Sequence, residues 1–224
     1  MHIKNIIFDN GGVLSIPRTG HWFITPNFFN IVENKIDINL LKGTMKKYQN
    51  TLTIEPKTER EEYEMFSEFY YKTLEEVEYE NLNKDIANKL AEDCVYNNNK
   101  YIFFDDVNNT LEMLTKQYNL YIISDAWPSS IRLFNDLNLS KFFKDICISS
   151  MESTTKLENL FEVFLYNHKS IDPRQSVFID DRMDILDKAN SLGFNVLLMD
   201  RDNNVKESKY KIIHDLKEIV EKIS

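Results

Sequence analysis

Five short apolar runs end abruptly at polar residues. Asn5-Ile6-Ile7-Phe8 stops at Asp9, and Leu120-Tyr121-Ile122-Ile123 stops at Ser124-Asp125. Ile146-Cys147-Ile148 stops at Ser149-Ser150, Val177-Phe178-Ile179 at Asp180-Asp181, and the run over residues 194–199 at Asp200. Brief β-branched runs of this kind predict strands buried on both faces. Helical patterns lie between the later runs. Val107, Leu111 and Leu114 predict a helix over residues 107–117, and Ile131, Phe134 and Leu137 a helix after Pro128. Leu157, Leu160, Phe161, Phe164 and Leu165 place one over 156–168, and Ile185, Leu186, Ala189 and Leu192 place another, stopped by Gly193. Strands alternating with helices of this length predict right-handed βαβ units and an α/β, doubly wound parallel sheet.

One stretch breaks the alternation. Between residues 18 and 99 no strand is predicted, but helical faces recur. Tyr63, Phe66, Tyr70, Leu74 and Val77 form one apolar stripe, Ile86, Leu90 and Cys94 a second, and Phe28, Ile31 and Val32 a third. The predicted organisation is therefore a Rossmann-like core of residues 1–17 and 100–224, with a helical module over 18–99 inserted after the first strand.

Composition narrows the class. Of 224 residues, 42% are hydrophobic and 28% charged, which suits a soluble globular protein and argues against wholesale disorder. The 27 basic residues against 36 acidic ones give a net charge of −9, a poor surface for nucleic acid. Residues 55–80 alone hold ten Glu against three basic residues, net −7, and are expected to form the solvated face of the helix through Tyr63 and Val77. Cys94 and Cys147 form no CxxC pair and are expected as buried thiols in a reducing compartment. The start of the chain lacks the basic and apolar regions of a signal peptide, and no apolar run is long enough to span a membrane. A cytoplasmic address and no membrane partner are expected.

Four polar clusters fall just past predicted strand ends, where open α/β sheets form their ligand crevice. Asp9-Asn10-Gly11-Gly12 places a carboxylate before a flexible turn, as a nucleophile, a metal ligand or a turn cap. Ser124-Asp125 offers a hydroxyl beside a helix start, for a phosphate oxygen or as an ordinary cap. Lys156 stands at a predicted helix start, where acids are usual, and is read as a partner for a carboxylate and a phosphate or as a solvated charge. Asp180-Asp181, followed by Asp184, would repel one another without a cation; hard oxygen ligands suit Mg²⁺, and a capping acidic turn is the other reading.

The set Ile6-Ile7-Phe8-Asp9-Asn10-Gly11-Gly12-Val13-Leu14, Ile123-Ser124-Asp125, Lys156 and Val177-Phe178-Ile179-Asp180-Asp181, with the tail Ala189-Asn190-Ser191-Leu192-Gly193-Phe194, resembles the haloacid dehalogenase-like hydrolase superfamily. The branch it is most similar to is the subfamily IA-like phosphatases with a helical cap. The resemblance covers residues 1–17 and 100–203; the inserted helices match by position and type, not by motif. It implies a Mg²⁺-dependent phosphomonoester hydrolase acting on a small phosphorylated metabolite, such as a sugar phosphate or nucleotide. Asp9 would attack phosphorus and form an aspartyl-phosphate, Ser124 would hold a phosphate oxygen, and Lys156 would neutralise charge on both. Asp9, the Gly11 carbonyl, Asp180 and Asp181 would hold the metal. Asn10, Gly11 and Asp125 would line the phosphate site. In the loop after Gly12, Arg18 or His21 could meet an anionic or hydroxylated substrate, and Trp22 could stack on a ring or, with Phe23, pack the cap against the core. A monomer or homodimer is expected.

Two departures stand out. Phosphatases of the family commonly carry an Asp two residues after the nucleophile as general acid and base; here that residue is Gly11, which argues against a phosphosugar mutase. It also motivates an alternative, a weakly active or inactive member that binds a phosphorylated metabolite or a protein partner. Leu157 replaces the Pro that often follows the Lys. A dehalogenase is disfavoured, because carboxylate attack on carbon bearing a halogen needs no metal and the Asp180-Asp181 pair would be an uncompensated charge.

Overall fold

The computed structural model describes residues 2–33 and 35–223. In chain order the elements are β1 (Asn5–Phe8), β2 (Ser15–Pro17), α1 (Phe28–Ile31), α2 (Ile38–Tyr48), α3 (Glu59–Glu76), α4 (Lys84–Tyr96), β3 (Tyr101–Phe103), α5 (Val107–Leu114) and β4 (Asn119–Ser124). They continue as α6 (Ser129–Asp136), β5 (Asp145–Ile148), α7 (Ser149–Glu152), α8 (Leu160–Asn167), β6 (Ser176–Asp180), α9 (Met183–Ser191), β7 (Asn195–Met199), β8 (Lys211–Ile213) and α10 (Ile219–Ile223). The chain divides into two compact units. The first comprises Met1–Ile16, Phe103–Ala126 and Ile131–Ser224; the second comprises Pro17–Ile102 and Trp127–Ser130.

The first unit is built on a six-stranded sheet of order β5-β4-β1-β6-β7-β8, parallel throughout. Alternate residues of each central strand face opposite layers. Ile6, Phe8, Leu120, Ile122, Val177 and Ile179 pack with Val107 and Leu111 of α5, Phe134 of α6 and Ile219 of α10. Ile7, Tyr121, Ile123 and Phe178 pack on the other face with Leu160, Phe161 and Phe164 of α8 and Ile185, Leu186 and Ala189 of α9. Covering both faces explains why these strands read as unbroken apolar runs. The sheet is the predicted α/β doubly wound architecture. Its order reverses at β1, which lies between β4 and β6 with Phe8 level with Ile122 and Ile179. That register aligns the carboxyl ends of the three strands, the place where doubly wound sheets bind ligands.

The second unit is helical. Phe66, Phe69, Tyr70 and Leu74 of α3 pack with Leu90, Ala91, Cys94 and Val95 of α4, Leu41 and Met45 of α2, and Phe28. Thr58 starts α3 with a capping box, its hydroxyl accepting from Glu61 N–H while the Glu61 carboxylate reaches back to the cap. Nine of the ten glutamates over residues 55–80 are exposed or partly so, but Glu62 is only 1% exposed, against the expected solvated face. Glu62 precedes Phe66 by one helical turn and belongs to the inward stripe.

Other differences have local causes. The helix expected from residue 156 begins at Leu160; residues 154–159 form a turn in which Glu158 accepts from Thr155 N–H at 2.9 Å and Asn159 N–H bonds the Thr154 hydroxyl at 3.1 Å. Leu157, counted as an apolar helical position, is 51% exposed. Cys94 and Cys147 are free and buried. Among the described residues, no helix is long and apolar enough to cross a membrane.

Candidate active site

Asp9 follows β1 directly, and its N–H bonds Ile179 O at 2.9 Å, so the first residue past β1 is stitched to β6. Asp180 ends β6 and is fully buried. Lys156, in the turn before α8, is 3% exposed and places its Nζ 2.9 Å from Asp9 Oδ1 and 2.7 Å from Asp180 Oδ2. The Lys156 N–H donates to Asp125 Oδ1 at 2.9 Å, so the residue after Ser124 fixes the lysine's backbone. Asp180 Oδ1 accepts from Arg182 N–H at 2.9 Å. Ser124 is buried as the last residue of β4. The folded first unit thus gathers Asp9, Ser124, Asp125, Lys156, Asp180 and Asp181 at three adjacent strand ends.

Asp9, Asp180 and Asp181 each offer a carboxylate oxygen, all within 4.8 Å of one another. Such a group of like charges is costly. Burial, opposed by Lys156 and reinforced by Asp9, pushes Asp180 up to about 7. Burial and the Asp9 carboxylate also raise Asp181, and burial raises Asp125 against the pull of Lys156. Burial alone would discharge Lys156, but Asp9, Asp180 and Asp125 outweigh it and hold the ammonium charged. One lysine does not balance these carboxylates. Among the described residues Asp9 Oδ1 has no hydrogen-bond partner, although it lies in ion-pair range of Lys156. An all-oxygen donor set with surplus negative charge fits a hard divalent cation such as Mg²⁺.

The turn after Asp9 explains its glycines. Val13, Leu14 and Ser15 N–H all converge on the Asn10 carbonyl, and Ser15 Oγ donates to Asn10 Oδ1 at 2.9 Å. The Asn10 side chain therefore builds the turn. Gly12 has φ +73°, and a Cβ there would lie 2.3 Å from Asp181 Oδ2. Gly12 is thus what lets the turn close on the acidic cluster; the sequence marks the glycine pair as a turn but assigns a site role only to Gly11, through its carbonyl. We expect Gly12→Ala to cost activity about 30-fold or more, since the positive φ and the collision with Asp181 together exceed about 2 kcal/mol. Steady-state kinetics with a melting curve would test this; activity within threefold of wild type would contradict it.

Other candidates make contacts of their own. Asp184 pairs with Arg182 (Nη2 to Oδ2, 2.5 Å), outside the three-carboxylate cluster. Arg18, His21 and Trp22 belong to the second unit. There Arg18 Nε donates to Asn99 O at 2.7 Å, His21 Nδ1 accepts from Phe23 N–H, and Trp22 lies edge-on to Tyr101 while 44% exposed.

No family profile matches the sequence, and no curated protein matches it. Solved structures do. The HAD-hydrolase YfnB of Bacillus subtilis, in a structure bound to magnesium, aligns at TM-score 0.74 and 14% identity over 100% of both chains. A HAD phosphatase from Thermococcus onnurineus aligns at TM-score 0.67 and 16% identity over 99% of this chain and 98% of its own. The L-2-haloacid dehalogenase of Xanthobacter autotrophicus aligns at TM-score 0.68 and 12% identity, again over 99% and 98%. These likenesses run the length of both units, and they agree with the strand order and the helical insertion read from the structure: the protein has the haloacid dehalogenase-like fold in its helical-cap form.

Proposed function

We propose that the protein is a Mg²⁺-dependent phosphomonoester hydrolase acting on a small phosphorylated metabolite. The observation that carries this reading is Lys156 Nζ bridging Asp9 and Asp180, beside the cluster those two form with Asp181. Asp9, Asp180, Asp181 and the Gly11 carbonyl would hold the cation. When bound, Mg²⁺ supplies the positive charge that allows an anionic carboxylate to meet an anionic phosphate. The protein's own part is positioning and charge cancellation, which phosphoryl transfer chiefly requires. Asp9 Oδ attacks phosphorus in line, the ester oxygen departs with its electron pair, and an aspartyl-phosphate remains on Asp9. Lys156 and Ser124 hold the equatorial oxygens, and water then hydrolyses the acyl-phosphate, returning Asp9 and free phosphate. Gly11 supplies no side-chain proton, so the departing oxygen takes its proton from solvent and the attacking water releases its own to solvent.

The fold is shared by phosphatases and dehalogenases, so the acidic cluster supports the choice between them. Displacing halide from carbon leaves no reason to hold three carboxylates within 4.8 Å of one another. A panel of phosphate esters, with p-nitrophenyl phosphate and 2-chloropropionate as controls, tests the reading. We expect Mg²⁺-dependent phosphate release that EDTA removes and no chloride release. Metal-independent chloride release would overturn the assignment, and silence across the panel would favour a binding protein for a phosphorylated ligand or a protein partner.

A further inference from the structure

The reaction just described leaves a largely buried cation of the first unit without a role. Arg201 lies two residues past the end of β7, with its side chain 11% exposed. Its Nη1 pairs with Asp106 Oδ2 at 2.7 Å, its Nη2 donates to the Val13 carbonyl at 2.7 Å, and its guanidinium stacks on Phe104 at 4.1 Å. Asp106 Oδ2 also accepts from Leu216 N–H at 2.8 Å. Arg201 Nε has no hydrogen-bond partner among the described residues. A buried ion pair with an unsatisfied donor is a poor device for stability alone, since apolar side chains of similar volume often serve better.

Val13 belongs to the turn that follows Asp9. That turn is internally rigid, because three amides share the Asn10 carbonyl and Gly12 N–H bonds Ser15 O at 2.9 Å. These bonds tie it together as one piece. Its inward side presses Gly12 onto Asp181, within a cluster of carboxylates that repel one another. Its outward side is held at two carbonyls: Val13 by Arg201, and Leu14 by Phe104 N–H at 3.1 Å. Phe104 is the ring on which Arg201 stacks, so both holds converge on one residue.

We propose that Arg201 is a positioning residue of the active site, holding the turn over residues 10–15 against Asp181 through the Val13 carbonyl. This rests on the phosphatase reading, because it assigns the turn the task of presenting the Gly11 carbonyl and Asp9 to the cation. Planar fork geometry is what the task needs: one edge must meet a carboxylate while the other meets a carbonyl, which an ammonium does less well.

The test compares Arg201→Met, Arg201→Lys and Leu216→Ala with wild type. Leu216 packs in the same core, and its alanine variant keeps the backbone bond to Asp106. Mg²⁺ binding is measured by calorimetry without substrate, alongside melting temperature, kcat and KM for p-nitrophenyl phosphate. Arg201→Met should weaken Mg²⁺ binding by about 10- to 100-fold and lower kcat with little change in KM. Arg201→Lys should fall between Met and wild type, and Leu216→Ala should lose melting temperature while binding Mg²⁺ as wild type does. If Arg201→Met does not fold, Arg201→Lys carries the same readouts. Wild-type Mg²⁺ binding and kcat in the folded Arg201 variants would overturn the positioning role alone. A wild-type protein that binds no Mg²⁺ and releases no phosphate would overturn the functional reading and this role with it.

Discussion

Asp9→Asn should abolish phosphate release, by about 1,000-fold or more, equivalent to about 4 kcal/mol in the barrier. The amide is nearly isosteric with the carboxylate but offers no anionic oxygen to attack phosphorus. Lys156 keeps Asp180 at 2.7 Å and Asp125 nearby, so its charge remains compensated and the fold should survive. The readouts are kcat, a melting curve, and acid-quench trapping of a phosphorylated protein, which wild type should form and Asp9→Asn should not. Activity within tenfold of wild type, with the variant folded, would remove Asp9 as the nucleophile. Residual turnover at Asp9→Asn also measures what Lys156 and Ser124 contribute without it, since residues acting as a unit are not additive.

The core of this site was legible because both faces of the sheet are buried. An apolar run with no alternation ends where the strand leaves the core, so the residues next in line, Asp9, Ser124 and Asp180, are placed by pattern alone. What lay beyond reach was set by contacts distant in sequence. Arg201 meets Val13 across 188 positions, and no local pattern marks it. Gly12 was half legible: a glycine pair signals a turn, but only the approach of Asp181 says why the second must lack a Cβ. The helix α2 over Ile38–Tyr48 was missed because only Leu41, Thr44 and Met45 are buried, while Ile38 and Leu40 are 41% and 53% exposed and blur the stripe. The edge strand β8 was missed because three residues, beginning with a lysine, give no run to read.

Charge was legible in sum and not in place. A net charge of −9 is compatible with the proposed anionic substrate where the acids are turned to solvent, as most of those over residues 55–80 are. Glu62 is the exception, and helical phase alone would have shown it, four residues before Phe66 on the buried stripe. A run of ten glutamates hides one that points inward, because composition does not carry phase.

Loss of that inward glutamate should cost the second unit heavily. Glu62 Oε2 accepts from Ser129 N–H at 2.7 Å and Oε1 from the Ser129 hydroxyl at 2.7 Å. Ser129 begins α6, and the turn Trp127–Ser130 belongs to the second unit, where Trp127 also packs on Phe66 and donates to Thr53 O at 2.7 Å. Lys100, 6% exposed, donates to Ser129 Oγ at 3.2 Å and to the Cys94 carbonyl. Glu62→Ala would leave a buried ammonium without its counter-charge and a helix-start N–H without an acceptor, a loss of about 3–5 kcal/mol in urea unfolding. Adding Lys100→Met should recover part of it, because the orphaned charge goes too; no recovery would mean the two are not a pair. Acidity gives an independent check. Burial raises the Glu62 pKa, with Lys100 and Ser129 pulling the other way. An acid whose folded pKa is raised binds its proton more tightly when folded, so its ionised form lowers stability above the folded pKa. That cost disappears as pH falls from there towards the ordinary glutamate value near 4.5. Glu62→Gln cannot titrate, so the stability difference between wild type and Glu62→Gln should shift in favour of wild type over that window. A difference flat with pH would mean that Glu62 keeps an ordinary pKa and that Lys100 and Ser129 fully compensate its burial.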